Sequence, residues 1–266
     1  MKVQFIQKSV FQQLKKPEAF SRKGDNGQVL VLAGSRQYHG PVFFAGIAAS
    51  RIVDLVYLAT AREHKNWAKK QSPEFIVTDL TKKSVAKYIN RVDSILIGPG
   101  MQNSLANRRL ANWILQYHKK TKTVLDATAF QLVSPKALHS NCCITPHAQE
   151  FENFFGVSAS PQNALKKAKE FDCLVCLKSH YSLVTDGKKI WQNPKGNPGL
   201  TTGGTGDVLA GLITGFAAQN PLLLSSQAAL YLLGATADSL YTKKRFMFNA
   251  VDLLDEVPLV FKSLTK

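Results

Sequence analysis

Acidic residues are scarce in this 266-residue chain: 18 Asp and Glu stand against 34 Lys and Arg, which gives a formal net charge of +16. Such an excess of positive charge favours anionic partners, either nucleic acid or small phosphorylated ligands. The Lys and Arg residues are dispersed in pairs along the chain, however, which is typical of a solvated basic surface. Nucleic-acid binding is therefore an alternative that charge alone motivates, and we do not expect a nucleic acid as the partner.

Long hydrophobic runs are also missing. The opening sequence MKVQFIQKSVFQQLKK has no continuous apolar stretch of the kind that secretory signals contain. The longest uncharged stretch, 208–237, is interrupted by Gln219-Asn220-Pro221 and by Ser225-Ser226-Gln227. It therefore predicts two buried helices joined by a turn rather than a membrane span. We expect a cytoplasmic protein with no membrane partner.

Cysteine is rare, and the chain has only four. Cys173 and Cys176 form a CxxC within FDCLVCLK, and Cys142 and Cys143 lie in NCCIT, two apolar runs typical of buried strands. A zinc or redox site is the alternative interpretation, but zinc sites normally take a CxxC from a turn. We predict four reduced cysteines that pack in the core.

The overall composition is that of a globular protein, with 45% hydrophobic and 20% charged residues. It excludes disordered, collagen-like and small disulfide-stapled chains. A chain of this length buries about three quarters of the surface that it exposes when unfolded, so it needs no staple. We expect a single domain over residues 1–266.

Short apolar runs rich in β-branched residues and Leu alternate with helical patterns along most of the chain. The predicted strands are 28–33, 55–60, 74–80, 93–98, 122–127, 142–145 and 173–178, followed by a hairpin that turns at Asp186-Gly187. This pattern predicts an α/β fold with a central, mostly parallel sheet and helices on both faces. Ligands of such folds bind at the carboxyl ends of the strands, so chemistry is expected in the loops there.

Several of those loops are unusual. The segment from Gly34 to Pro41 either connects a strand to a helix or covers a ligand. Gly98-Pro99-Gly100 partly resembles a dinucleotide-binding turn, but Asn103 stands where a third Gly is needed, so we expect only a close approach of ligand to backbone. His147 precedes the helix AQEFENFF, where burial and the helix dipole lower the pKa of an imidazole. A structural or solvent-facing role is the alternative for His147.

The most informative loop runs from Gly196 to Asp207. Gly203, Gly204 and Gly206 free the backbone to turn its N–H groups inward, and an uncharged helix is predicted from about Thr205. A glycine-rich turn at a helix N-terminus is a site for phosphate. Asp207, in the first helical turn, is then placed to accept a proton from a substrate hydroxyl. No GxxxxGK[ST] sequence occurs, which excludes a Walker A site.

These residues resemble a known family. TGGTGDVLAG is similar to the anion-hole and catalytic-Asp motif of ribokinase-like enzymes. Together with KGDNGQVLVLAGS, ILIGPG, VLDATAF, ITPHAQEF and NPKGNPGL, in this order over residues 23–211, it resembles the ADP/ATP-dependent NAD(P)H-hydrate dehydratases. Such enzymes convert (6S)-NADHX and NADPHX back to NADH and NADPH and consume ADP or ATP, a metabolite repair reaction. The alternative is a ribokinase-like kinase for a vitamin precursor or a sugar.

The resemblance also implies site residues. Asp207 would be the catalytic base, and the anion hole would comprise Gly203, Gly204, Thr205 and Gly206. The hydrate would contact Gly40, Pro41, Gly100, His147 and Asp207, and the nucleotide would contact Lys178, Ser179, His180, Tyr181, Ser182 and Gly206. Pro41 and Ser179 stand where the family usually has Ala and Gly.

Further expectations concern the surroundings of the site. Mg²⁺ should bridge the nucleotide phosphates, with no protein ligand assigned. Asn197 should lie behind the residues that contact the ligands and help to position them. Asp126 either holds a water or metal at the site or caps a buried strand. The resemblance further implies a homo-oligomer, and we expect no N-terminal epimerase domain.

Overall fold

The computed structural model describes residues 3–266, and its centre is a sheet of ten strands in the order β1-β10-β9-β8-β7-β6-β5-β2-β3-β4. The strands are β1 (Val3–Phe5), β2 (Gln28–Leu32), β3 (Leu55–Thr60), β4 (Ile76–Asp79), β5 (Ser94–Ile97), β6 (Lys122–Leu125), β7 (Cys142–Ile144), β8 (Leu174–Leu177), β9 (Leu183–Thr185) and β10 (Ile190–Gln192).

Strands β2 to β8 are all parallel, while β9 runs antiparallel to both β8 and β10. The predicted parallel sheet and the hairpin are therefore confirmed, and each apolar run contains a strand. The short edge strand β1 was not predicted, because its three residues, all exposed, are too few to show a strand pattern.

Helices cover both faces of the sheet. They are α1 (Gly40–Ser50), α2 (Lys65–Gln71), α3 (Lys82–Val85), α4 (Leu105–Tyr117), α5 (Ala129–Leu132), α6 (Ala148–Phe155), α7 (Pro161–Glu170), α8 (Thr205–Gln219), α9 (Leu222–Lys244) and α10 (Ala250–Leu264). Short 3₁₀ helices span Lys8–Gln13, Arg62–His64, Ile89–Arg91, Pro135–Ala137 and Pro198–Thr201.

Two hydrophobic cores lie on opposite faces of the sheet. Apolar residues of α1, α8, α9 and α10 form one core, and those of α4, α5, α6 and α7 form the other. The uncharged stretch 208–237 falls on α8 and α9, separated by Asn220 and Pro221, so the prediction of two buried helices is confirmed. No helix within residues 3–266 combines the length and the apolar character that a membrane crossing requires.

The four cysteines are free and buried. Cys142 and Cys173 face one core, while Cys143 and Cys176 face the other, because successive side chains of a strand point to opposite sides. The CxxC pair is thus split across the sheet and cannot converge on one metal ion. Burial raises the pKa of Cys142 and Cys143 to about 12, and the prediction of buried packing is confirmed.

Candidate active site

The loops singled out in the sequence meet at one edge of the sheet, since carboxyl ends of parallel strands share an edge. The loop after β2 and the loop after β5 are joined directly, by a hydrogen bond of 2.8 Å from the Gly34 N–H to the Pro99 carbonyl. The loops after β7 and β8 are joined by a hydrogen bond of 2.8 Å from the Lys178 N–H to the Pro146 carbonyl. The candidate site therefore rests on neighbouring strands of a rigid sheet.

The glycine turn forms the N-terminus of α8 as predicted. Gly204 is the residue before the helix and has φ of +93°, a conformation that favours glycine. A Cβ on Gly204 would lie 2.7 Å from the Phe44 ring, whereas a Cβ on Gly203 would meet nothing within 4 Å. The turn is thus packed against α1 on one side and open at Gly203, where an anion could reach the backbone amides and the positive end of the helix.

Thr205 makes its side-chain hydrogen bonds within the turn itself. Its hydroxyl donates to the Leu200 carbonyl at 2.7 Å and lies 3.0 Å from the Thr202 carbonyl, and its N–H donates to the same Thr202 carbonyl at 3.4 Å. These contacts stabilise the turn from inside and engage the Thr205 hydroxyl. A contact of Thr205 with an anion stays a prediction, and it would be made by the backbone N–H.

Asn197 supports the same turn from the preceding loop. Its side-chain oxygen accepts the Gly199 N–H at 3.0 Å, and its amide donates to Asp238 at 3.2 Å. Asp238 also accepts the Gly196 N–H at 3.2 Å. The sequence did not point to Asp238, because it lies on α9, far along the chain from the loop that it anchors.

A buried polar cluster lies beneath the glycine turn. Lys178, directly after β8, donates to Asp126, directly after β6, at 2.7 Å, and its Nζ lies 3.9 Å from a Glu150 oxygen. Asp126 is only 2% exposed and also accepts the Thr145 hydroxyl at 2.7 Å. Burial lowers the pKa of Lys178, but the two carboxylates outweigh burial and raise it above its ordinary value. Of the alternatives for Asp126, the structure therefore favours a paired strand-end carboxylate.

Asp207 lies in the first turn of α8, next to this cluster. Burial and the nearby Asp126 carboxylate raise the pKa of Asp207 to about 7, against a smaller lowering effect of Lys178. A carboxyl group with a pKa near neutrality can both take up and release a proton at physiological pH. A pKa in this range suits a general acid or base at physiological pH.

A large cleft of about 1000 Å³ opens on one side of the site, between the loops after β2, β3, β5 and β6. Tyr38 and Met101 line it, and Gly100 lies between them and α1. Gly100 has φ of +63°, and a Cβ there would lie 2.8 Å from Pro41 Cγ. The structure thus brings Gly100, Pro41 and the adjacent Gly40 together beside this cleft.

His147 lies at the start of the helix α6 and faces solvent, which is one of the two alternatives that the sequence left open. It is the residue before α6, where its Nδ1 accepts the Glu150 N–H at 3.3 Å and its N–H donates to the Glu150 carboxylate at 2.9 Å. The placement at the helix N-terminus is confirmed. The side chain is 54% exposed, so of the two alternatives for His147 the structure favours the solvent-facing one over the buried one.

A second cavity of about 480 Å³ lies on the other side of the glycine turn. Its lining includes Lys178, Ser179, His180, Ser182 and Gly206 among the predicted nucleotide contacts, together with Asn197. Tyr181 is not among the lining residues, and its side chain is 62% exposed and packs edge-on against His180. Lys178 of the polar cluster lines the second cavity, and Thr128, two residues after Asp126, lines the first.

The family model of the NAD(P)H-hydrate dehydratases matches residues 29–259, which is most of the chain. The chain belongs to this family. The family match contains both cavities, the glycine turn and Asp207, so every part of the candidate site lies within it.

Curated relatives extend this assignment. An ADP-dependent (S)-NAD(P)H-hydrate dehydratase of Nitrosopumilus maritimus is 35% identical over 266 residues, which cover 92% of this chain and 92% of the relative. The bifunctional NAD(P)H-hydrate repair enzyme Nnr of Methanocaldococcus jannaschii is 32% identical over 265 residues, which cover 94% of this chain and 51% of the relative. The chain thus spans about half the length of the bifunctional relative and most of the length of the other.

Solved structures agree with the family and the fold. The ADP/ATP-dependent NAD(P)H-hydrate dehydratase of Bacillus subtilis, co-crystallised with ATP and Mg²⁺, is 25% identical with a TM-score of 0.85 and covers 99% of each chain. A ribokinase-like superfamily protein of Enterococcus faecalis is 25% identical with a TM-score of 0.90 and covers 98% of this chain and 96% of its own. This NAD(P)H-hydrate dehydratase family member therefore has a ribokinase-like fold, as the sequence predicted.

Proposed function

We propose that the protein dehydrates (6S)-NADHX and NADPHX to NADH and NADPH, with a nucleoside diphosphate or triphosphate as phosphoryl donor. The observation that carries the proposal is the position of Asp207, whose raised pKa of about 7 suits a base, in the first turn of α8 beside an open glycine turn. Two cavities suit a reaction of two large substrates, because the phosphoryl group must pass between them. The names of the relatives supply the substrates.

The mechanism follows from the poor leaving ability of hydroxide. Asp207 accepts the proton of the C6 hydroxyl, whose oxygen then attacks the terminal phosphoryl group of the nucleotide. The amides of Gly203, Gly204 and Gly206, at the positive end of α8, stabilise the charge that develops on the phosphoryl oxygens. The C6–O bond then breaks as the ring nitrogen donates its electron pair, phosphate departs, and loss of the neighbouring ring proton restores the dihydropyridine.

The cleft of about 1000 Å³ beside Gly100 and Pro41 is proposed to hold the hydrate, and the cavity of about 480 Å³ lined by Lys178 and Gly206 to hold the nucleotide. His147 contributes an exposed imidazole at the edge of the site rather than a buried one. We propose ADP as the preferred donor, because single-activity relatives such as that of Nitrosopumilus maritimus carry that dependence in their names.

Magnesium is proposed to arrive with the nucleotide. Within residues 3–266, no group of three or more His, Cys, Asp or Glu side chains is arranged to hold a metal ion. Mg²⁺ in phosphoryl-transfer sites keeps several waters and binds mainly through substrate phosphates, so it needs no protein cage. When bound, the ion would neutralise phosphate charge. Cytoplasmic location and homo-oligomeric assembly stay predictions.

The test is an assay of the purified protein with NADH hydrate or NADPH hydrate and either ADP or ATP, each with Mg²⁺. We expect the absorbance of the reduced nicotinamide to return, faster with ADP than with ATP. An equal return without nucleotide, or none with either nucleotide, would contradict the proposal. Phosphorylation of a thiazole alcohol or of hydroxymethylpyrimidine in place of hydrate turnover would support the kinase alternative.

A further inference from the structure

The buried cluster beneath the glycine turn contains one ammonium group and several carboxylates that compete for it. Lys178 pairs with Asp126 at 2.7 Å and approaches Glu150 at 3.9 Å, and it forms no direct ion pair with Asp207. Its Nζ nevertheless lies 3.4 Å from the position that a Cβ on Gly206 would occupy, which is one residue before Asp207. The ammonium therefore lies beside the residue that precedes Asp207, but it is paired with another acid, Asp126.

The position of Asp126 is fixed independently of Lys178. Its Oδ1 accepts the Thr145 hydroxyl at 2.7 Å, and Thr145 is buried and has its N–H bound to the Leu125 carbonyl at 3.0 Å. Because Asp126 follows β6 directly and Thr145 follows β7 directly, both are held by neighbouring strands of the sheet. Asp126 is thus held in one position. The Lys178 side chain is flexible, so the position of its ammonium depends on which carboxylate it pairs with.

The charged and titratable groups around Asp207 belong to several elements. Asp126 follows β6, Glu150 and the exposed His147 belong to the start of α6, Lys178 follows β8, and the un-ionised thiols of Cys143 and Cys176 lie in the sheet below. Asp126 and Glu150 disfavour a charge on Asp207, and Lys178 is the cation that favours it. A direct pair between Lys178 and Asp207 would change this balance, because an ion-paired carboxylate is a weak base.

We propose that Asp126 and Lys178 are positioning residues: Asp126 anchors the Lys178 ammonium beside Gly206, so that Lys178 stabilises the Asp207 carboxylate without forming the ion pair that would remove its basicity. This inference rests on the proposed function for its consequence in turnover. The arrangement itself is a property of the free protein and can be measured without substrate.

The two residues should act on Asp207 in opposite directions. In Asp126→Asn, a neighbouring negative charge disappears and the ammonium becomes free to pair with Asp207, so the pKa of Asp207 should fall. In Lys178→Met, the ammonium disappears and Asp126 is left unpaired, so the pKa of Asp207 should rise. Asp126 and Lys178 both act on the pKa of Asp207, and a nearby charge typically moves a carboxyl pKa by about 1–3, so each change should move the titration midpoint by about one pH unit.

The first measurement is a ¹³C NMR titration of the Asp207 carboxyl carbon in protein labelled at aspartate, with the resonance assigned by its absence in Asp207→Asn. We expect a midpoint near pH 7 in the wild type, at lower pH in Asp126→Asn and at higher pH in Lys178→Met. Lys178→Arg, which keeps the charge, should return the midpoint toward the wild-type value. Thr145→Val removes a hydrogen bond to Asp126 without changing charge, and should move the midpoint much less.

The second measurement is the pH dependence of kcat/KM for NADH hydrate, whose acidic limb should move with the NMR midpoint in each variant. Midpoints that move in the same direction in Asp126→Asn and Lys178→Met, or that do not move, would overturn the inference. If Lys178→Met shows no cooperative thermal transition, Asp126→Asn decides alone, and a midpoint at or above the wild-type value would refute it. Opposite NMR shifts in a protein without turnover would support the inference and contradict the proposed function.

Discussion

Replacement of Asp207 by Asn should separate chemistry from stability, with opposite effects on the two. The amide keeps the size of the carboxyl group but cannot accept a proton as a base. A positioned general base contributes roughly 10²–10⁴-fold, so kcat should fall by about that factor or more, with nucleotide affinity little changed. The structure adds that the same variant should be more stable than the wild type at neutral and alkaline pH.

The magnitude follows from the pKa of Asp207, which is raised from 3.8 to about 7 by burial and by Asp126. Because the pKa is higher in the folded protein, ionisation favours the unfolded chain, so wild-type stability declines as pH rises from about 4 to about 7 and stays reduced above. Such a difference corresponds to roughly 4 kcal/mol, and water in the open site screens part of it, which leaves about 2–4 kcal/mol. The Asp207→Asn variant, whose amide does not ionise, would not carry this cost.

The assay is thermal unfolding of Asp207→Asn and wild type at several pH values, alongside kcat. Each kcal/mol should raise the thermal midpoint by roughly 2–4 °C for a chain of this size. The gain should vanish at about pH 4, where the carboxyl group is protonated in both states. Asp255→Asn, on the exposed side of α10, removes the same charge and serves as the control.

A helix-capping role for Asp207 predicts the reverse, a loss of about 1 kcal/mol and nearly normal turnover. The structure already argues against that role, because the residue before α8 is Gly204. An Asp207→Asn protein that is active, or that is less stable than wild type at pH 8, would refute the reasoning on which the proposed base depends.

Further predictions concern the glycines and the cysteines. Gly204→Ala should reduce kcat strongly and lower the thermal unfolding midpoint, because its Cβ would lie 2.7 Å from the Phe44 ring at a φ of +93°. Gly203→Ala has open space around its Cβ and should keep the wild-type midpoint. Kinetic assays and thermal unfolding of both variants test this, and equal midpoints for the two would contradict it. Gly100→Ala should raise KM for the hydrate and cost about 1–2 kcal/mol of stability from its positive φ, and an unchanged KM would remove Gly100 from the site. A thiol reagent should label none of the four cysteines in the native protein and all four after denaturation, since burial raises their pKa values; rapid labelling of the folded protein would contradict the packing.

The sheet and the glycine turn were predictable because their signals are local. Each central strand is a short run of buried β-branched and aliphatic residues, and these runs alternate with helical patterns. The turn before α8 carries its glycines where the backbone needs them, as the positive φ of Gly204 shows. The edge strand β1 has only three residues, too few for its apolar and polar residues to show an alternating pattern.

The polar contacts of the site depend on tertiary structure and could not be predicted in the same way. The pairing of Lys178 with Asp126 joins residues 52 positions apart in the sequence. No pattern in the chain shows which strand end the lysine meets. Likewise, the exposure of His147 and the inward hydroxyl of Thr205 depend on how helix ends are oriented. Residue types at strand ends indicated where chemistry would occur, but not which groups pair.

The stoichiometry of a complete reaction tests the central claim most directly. NADH hydrate is incubated with a limiting amount of ADP and with Mg²⁺, and NADH, AMP and free phosphate are measured in the same sample. Dehydration through a phosphorylated intermediate predicts one NADH and one phosphate for each AMP formed, and formation of all three products slowed by about 10²-fold or more in Asp207→Asn. Formation of AMP with a stable phosphorylated hydrate and no free phosphate, or of NADH without AMP, would contradict it.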